Sequence, residues 1–127
     1  MLTELTIKDF ISKVISNDPV PGGGSVSALN GALAAALSAM VANLTVGRKK
    51  YVEVNDLMQE LSARFEKLSQ KLIEDVDRDS DAYNRVFAAF KLPKETDEEK
   101  QVRSEAIQRE TKYAAQVPME VARAVYE

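Results

Sequence analysis

The chain has 127 residues, 45% of them hydrophobic and 29% charged, which supplies one compact domain with a real core and excludes extended disorder. A net charge of −3 gives no general field for nucleic acid or acidic lipid, so an anionic ligand must meet a local basic cluster. With neither cysteine nor histidine, a disulfide framework, thiolate chemistry and the commonest general base are all excluded, and acid–base work falls to carboxylates, Lys or Tyr.

The opening MLTELTIKDF carries Glu4 and Asp9 and lacks a basic segment ahead of an apolar run, so it does not read as a secretory signal and a cytoplasmic location is expected. Helical spacing then dominates, and no run alternates apolar and polar residues over a strand's length. A first helix is predicted from about Thr6 to Ser16, with Thr6 and Asp9 spaced as a capping box and Phe10, Ile11, Val14 and Ile15 on one face. Pro19, Pro21 and the run Gly22–Gly23–Gly24 break it. A second helix, starting near Ser25 or Ser27 with either serine as cap, is expected to end around Gly47.

That helix is rich in small residues and uncharged. The glycine run is not a phosphate loop, because no Lys follows Gly24 and no strand precedes Pro19, and its contiguous glycines do not fit a dinucleotide fingerprint. A membrane span fits the length, but Asn30, Asn43 and the hydroxyl residues in a leucine-poor segment argue against it. Ala28, Gly31, Ala32, Ala35, Ala39 and Ala42 recur at three- and four-residue spacing, which suits close backbone packing in a bundle centre or a subunit interface. Two roles for the glycines stay open: a tight turn into that packing, or freed N–H groups of Val26, Ser27 and Ala28 meeting an anionic part of a ligand. Arg48, Lys49 and Lys50 close the helix, as complements to its C-terminal dipole or as a site for an anionic tail.

A third helix is predicted from Asp56 to about Phe90, long enough to act as a spine. Its apolar stripe reads Leu61, Phe65, Leu68, Leu72, Val76, Tyr83, Val86 and Phe90, and the skipped place between Val76 and Tyr83 falls on Asp79, about 20° from the stripe's centre line. A carboxylate there must pair with Asn30, Asn43 or an Arg, line a wet cavity, or stay protonated. Asp75, Asp77 and Asp81 read as a solvated acidic face, and a metal site from Asp75 and Asp79 is disfavoured without histidine. Leu92 and Pro93 end the helix, and Thr96 with Asp97, Glu98 and Glu99 marks a capped start to a fourth, which carries Val102, Ala106, Ala114 and Val117 inward. At Pro118 a kink, a break or a new helix is expected.

Together PVPGGGSVSALNGALAAALSAMVANLTVGRKKY, the D-x-x-A-Y of Asp79 to Tyr83, AAFKLPK and AAQVPMEVA resemble the cyclodeaminase/cyclohydrolase family, across essentially the whole chain. The resemblance implies an all-α, up-and-down antiparallel helical bundle, with residues 1–127 as a single domain. It further implies a homodimer with a folate site near the subunit interface, and a reaction on a tetrahydrofolate derivative with no metal or other cofactor. Neither nucleic acid nor membrane is an expected partner. Family members continue beyond the V-P-x-E-V segment, so the domain is expected to be incomplete at its C-terminus. In cyclodeamination the folate's aniline nitrogen attacks a formimino carbon and ammonia leaves a cationic methenyl bridge; in cyclohydrolysis water attacks that bridge. The roles expected are acid–base or electrostatic work by Asp79 with Tyr83, backbone presentation by Gly22, Gly23, Gly24 and Ser25, and capture of the glutamate tail by Arg48, Lys49 and Lys50. The rival expectation is a non-catalytic helical dimerisation domain, or a folate-binding regulatory one.

Overall fold

Thr6 opens the first helix as its spacing predicts: its Oγ1 accepts the Asp9 N–H at 3.2 Å and donates to the Asp9 carboxylate at 2.6 Å. The computed structural model, which describes residues 1–127, contains four α-helices and no strand. They are α1 (Ile7–Ile15), α2 (Gly23–Thr45), α3 (Asn55–Phe90) and α4 (Asp97–Tyr126), with short 3-10 turns at Leu2–Glu4 and Lys49–Val54. The all-α expectation holds, and the predicted ends of α3 lie within one residue of those found.

At 36 residues and about 1.5 Å per residue, α3 is roughly 54 Å long, and α2 and α4 pack chiefly on it rather than on one another. The bonds that cross between helices give the direction of each. Ser25 reaches Val76, Ala32 accepts from Ser69, and Ser62 donates to Asn43, so α2 and α3 are antiparallel. Arg78 pairs with Glu120, Arg85 with Glu110, and Arg103 reaches the Phe90 carbonyl, so α3 and α4 are antiparallel too.

Ala28, Ala32, Ala35, Ala39 and Ala42 form the buried row of α2, as the small-residue spacing predicts. A methyl group at each contact lets the two backbones approach more closely than leucines would allow. At Gly31 even a methyl is too much, since a Cβ there would lie 2.9 Å from Val125 and 3.1 Å from Leu72. Phe10, Ala28, Ala32, Leu72, Val76 and Val121 join α1, α2, α3 and α4 in one core cluster. α2 is long and apolar enough to cross a membrane by length and composition, yet its alanine row is spent on α3.

Several expectations are corrected. Ser25 and Ser27 do not cap α2: the helix begins two residues earlier, after Gly22, with no side-chain cap. The first-turn amides lacking a helical acceptor are therefore those of Gly23, Gly24 and Ser25, because Val26 N–H already donates to the Gly22 carbonyl. α2 ends at Thr45, and Gly47 takes the left-handed turn at φ 75° that glycine adopts without strain. Of the apolar face of α1 only Phe10 is buried, while Ile11, Val14 and Ile15 line an open apolar groove with Leu29 and Leu33 of α2. Of the inward set on α4, Ala106 and Val117 are buried but Val102 is exposed. α4 runs through Pro118 as one helix without that residue's N–H bond, and the proline ring lies on an exposed face.

The acidic face of α3 is not uniformly solvated. Asp75 is 2% exposed and accepts from Lys71 at 2.8 Å and Arg78 at 2.9 Å. Asp77 accepts from Thr3 Oγ1 at 2.6 Å, tying the N-terminal turn to α3. The expected solvated face fails at Asp75, which is buried and paired, while Asp77 points away from the α2-facing stripe as its spacing predicts and is met there by the N-terminal turn.

Candidate functional site

The glycine run and the misplaced carboxylate meet. α2 and α3 cross so that the first turn of α2 rests on Val76, Asp79 and Ser80, and a Cβ built on Gly24 would lie 2.1 to 2.4 Å from the three carboxylate atoms of Asp79. No Cβ fits there while the Asp79 carboxylate keeps its place. Gly24 is thus required by the carboxylate, whereas a Cβ on Gly23 would meet nothing within 4 Å and one on Gly22 would meet the Pro19 carbonyl at 3.3 Å. The aligned peptides of α2 present the positive end of their dipole at this turn, which favours negative charge beside it.

The partner of Asp79 is none of those expected from sequence. Ser25 Oγ lies 3.3 Å from Asp79 Oδ2, 2.7 Å from the Val76 carbonyl and 2.9 Å from Ser80 Oγ. Asn43 is engaged elsewhere, accepting from Ser62 at 2.6 Å and donating to Glu66 at 3.3 Å. Ser25 is fully buried, so its side chain faces α3 rather than a ligand. Ser80 was not singled out from sequence; a serine on the stripe side of Asp79 was its only signal.

Gly23 and Gly24 open onto a groove of about 620 Å³, walled by Ser27, Asn30 and Ala34 of α2 and by Pro118, Val121 and Val125 of α4. Its lining carries no charged side chain. Asp79 adjoins this groove through Gly24, against which its carboxylate is seated. Tyr83, one turn further along α3, is exposed and forms no hydrogen bond, so its hydroxyl is not coupled to the Ser25–Ser80–Asp79 cluster.

Arg48, Lys49 and Lys50 are exposed at the other end of α2. The 23 residues between put them about 35 Å from the glycine run in the same chain. Arg48 donates to the Leu44 carbonyl at 3.3 Å, as a helix C-terminal cation does, and Lys50 lies 5.6 Å from the Tyr51 ring. Within one chain the sequence-predicted site residues therefore fall into two groups: Gly22 to Ser25 with Asp79 and, nearby, Tyr83; and the cation cluster apart from them. Asp75 and Asp79 do not converge on a common point, since Asp75 is held by Lys71 and Arg78.

Comparisons with known proteins bear on this arrangement. Residues 6–127 match the formiminotransferase-cyclodeaminase family model. A methenyltetrahydrofolate cyclohydrolase of Methylorubrum extorquens is 43% identical over 114 residues, covering 90% of this chain and 55% of that protein. A formimidoyltransferase-cyclodeaminase of Rattus norvegicus is 36% identical over 124 residues, covering 98% of this chain and 23% of that protein. The crystal structure of formiminotetrahydrofolate cyclodeaminase from Thermotoga maritima superposes with a TM-score of 0.81 at 34% identity, covering 98% of this chain and 58% of that one. The chain thus spans about half the length of the cyclohydrolase and of the cyclodeaminase structure it matches. A family match from Thr6 to the last residue, on a fold shared at this level of identity, shows that the chain belongs to the formiminotransferase-cyclodeaminase family.

Proposed function

We propose that this chain acts in folate one-carbon chemistry at the methenyl bridge of a tetrahydrofolate derivative, by cyclodeamination or cyclohydrolysis. The observation that carries the reading is the Asp79 carboxylate seated against Gly24 at the mouth of α2, beside a groove with no other charge. Relatives named for these two reactions support the substrate class.

The chemistry asks for what this site holds. In cyclohydrolysis, water adds to the cationic bridge carbon and loses a proton as the C–O bond forms; a carboxylate can take that proton and return it to the departing nitrogen. In cyclodeamination the ring closes as nitrogen attacks the formimino carbon, and the leaving nitrogen must be protonated to depart as ammonia. Asp79 serves as acid–base group in either case, and its negative charge stabilises the cationic bridge. No other cofactor enters this scheme.

The cation cluster joins the same site in a dimer. Gly23, Ser27, Asn30, Ala34, Leu37, Val41 and Leu44 follow one another at alternating steps of four and three, all exposed on one face of α2, and Arg48 follows just past the turn that ends the helix. Two copies pairing antiparallel along this face would cover Leu37, Val41 and Leu44 and bring Arg48, Lys49 and Lys50 of one copy to the glycine run of the other. There they would meet the carboxylates of a folate glutamate tail.

The test is titration of the purified chain with methenyltetrahydrofolate, following loss of the methenyl absorbance against an enzyme-free control. Asp79→Asn is expected to lower turnover by about 10²- to 10⁴-fold. A folded Asp79→Asn protein with undiminished turnover refutes the acid–base role, and a wild-type chain without binding or turnover favours a helical dimerisation domain.

A further inference from the structure

The Ser25 hydroxyl has more neighbours than it can serve. It carries one proton and two lone pairs, yet it faces the Val76 carbonyl at 2.7 Å, Ser80 Oγ at 2.9 Å and Asp79 Oδ2 at 3.3 Å. It cannot donate to both Val76 and Asp79 at once. Both serines are buried, Ser25 completely, so solvent does not make up the difference.

We propose that Ser25 and Ser80 are positioning residues for Asp79, with the Ser25 proton turning between the Asp79 carboxylate and the Val76 carbonyl as Asp79 loses and gains its proton. With Asp79 ionised, Ser25 donates to its Oδ2 and accepts from Ser80, while the Val76 carbonyl keeps its helical N–H. With Asp79 protonated, the carboxyl O–H donates to Ser25 Oγ, Ser25 donates to the Val76 carbonyl, and Ser80 still donates to Ser25. No proton is gained or lost by either serine. Every hydroxyl proton has an acceptor in both states, so Asp79 changes protonation without moving, which keeps the reacting group in place.

The surroundings leave this pair in charge of the carboxylate. From Pro19 to Gly47 the chain, and so all of α2, holds no ionisable side chain. α4 faces the adjoining groove with Pro118, Val121, Ala122 and Val125, none of which ionises. On α3, Asp75 and Arg78 are bound to each other, Arg78 also to Glu120, and Asp77 to Thr3; Tyr83 is exposed one turn away.

The inference rests on the reading of Asp79 as an acid–base group, and two measurements separate the failure of one from the failure of the other. In protein carrying ¹³C at the serine β-carbons, the Ser25 and Ser80 resonances are expected to shift with pH at one common midpoint in the wild-type chain and to stay flat in Asp79→Asn. A flat Ser25 resonance in the wild type, or a titration that survives in Asp79→Asn, overturns the proposal whether or not the chain turns over a folate. If methenyltetrahydrofolate is a substrate, Ser25→Ala should lower kcat by about 10- to 100-fold with KM within about threefold, since a misplacement of about 1 Å can cost 10²-fold. In an Asp79→Asn background Ser25→Ala should then cost nothing further. An equal loss in that background would mark Ser25 as a tether between helices and nothing more. Absence of turnover in the wild type, with the serine titration intact, refutes the folate reading and leaves the hydroxyl pair standing.

Discussion

Three adjacent glycines have three different neighbourhoods, and only one of them is occupied by a functional group. A Cβ at Gly24 collides with the Asp79 carboxylate, which is the mobile end of a side chain and would be pushed aside rather than crushed. Gly24→Ala is therefore expected to fold, with the gain in helix propensity offsetting part of the displacement, and to lose turnover comparably to Asp79→Asn. Gly23→Ala meets no protein atom within 4 Å, so it should stabilise the chain by up to about 1 kcal/mol and lose less turnover than Gly24→Ala. Parallel thermal melts and methenyltetrahydrofolate assays check both; equal activity losses at the two positions would refute this division of labour. The sequence made Asp79 visible as a break in the α3 stripe and made the glycines visible as a run. Their contact was not legible, because it joins residues 55 positions apart and depends on how two helices cross. Ser25 was legible as a polar residue at a helix start and misread as a cap, since the α2 start lies two residues earlier than its first serine.

At the scale of elements, the seam between α3 and α4 is ionic where the seam between α2 and α3 is alanine. Asp75 is buried against Lys71 and Arg78, and Arg78 continues to Glu120 on α4. Glu120 above all, with help from Tyr113 and Asp75, holds the Arg78 guanidinium above its ordinary pKa. Further along, Arg109 and then Arg85 hold the Glu110 carboxylate below the usual carboxylate range. The two partners of the Asp75–Arg78 pair are not equivalent. Arg78→Ala leaves a carboxylate buried with only Lys71 to answer it and should cost about 3 kcal/mol, near the low end for a broken buried pair. Asp75→Asn leaves two cations that reach solvent or Glu120, and should cost less, about 1 kcal/mol. Urea unfolding of the two variants checks the order, and a larger loss for Asp75→Asn would contradict it. Helix number, order and the Thr6 and Thr96 caps were legible because they depend on residues within one turn. The burial of Asp75 was not, because the Arg78 that pairs with it is itself tied to Glu120 on α4, 42 residues further along.

The whole molecule leaves one face of α2 uncovered. Leu37, Val41 and Leu44 are each about 60% exposed in one row along α2, and Arg48 lies just beyond its C-terminal end. If antiparallel pairing along this row completes the folate site, Leu37→Glu with Val41→Glu should give monomers by sedimentation and weaken substrate binding, while leaving helix content unchanged. A wild-type chain that turns over substrate as a monomer would separate the site from the dimer. Within each copy, the alanine row of α2 has a consequence for the site at its end. From Ala28 to Ala42 it holds α2 at one distance from α3 over about 21 Å, and the gap into which the Asp79 carboxylate fits is the continuation of that same spacing. The row works as a gauge block: one added methyl at Ala32 or Ala35 would wedge the helices apart and widen the seat at Gly24 from a turn or more away. Tolerance at the carboxylate is thereby set by residues that never touch it, and the smallest side chains in the chain are the ones least free to grow.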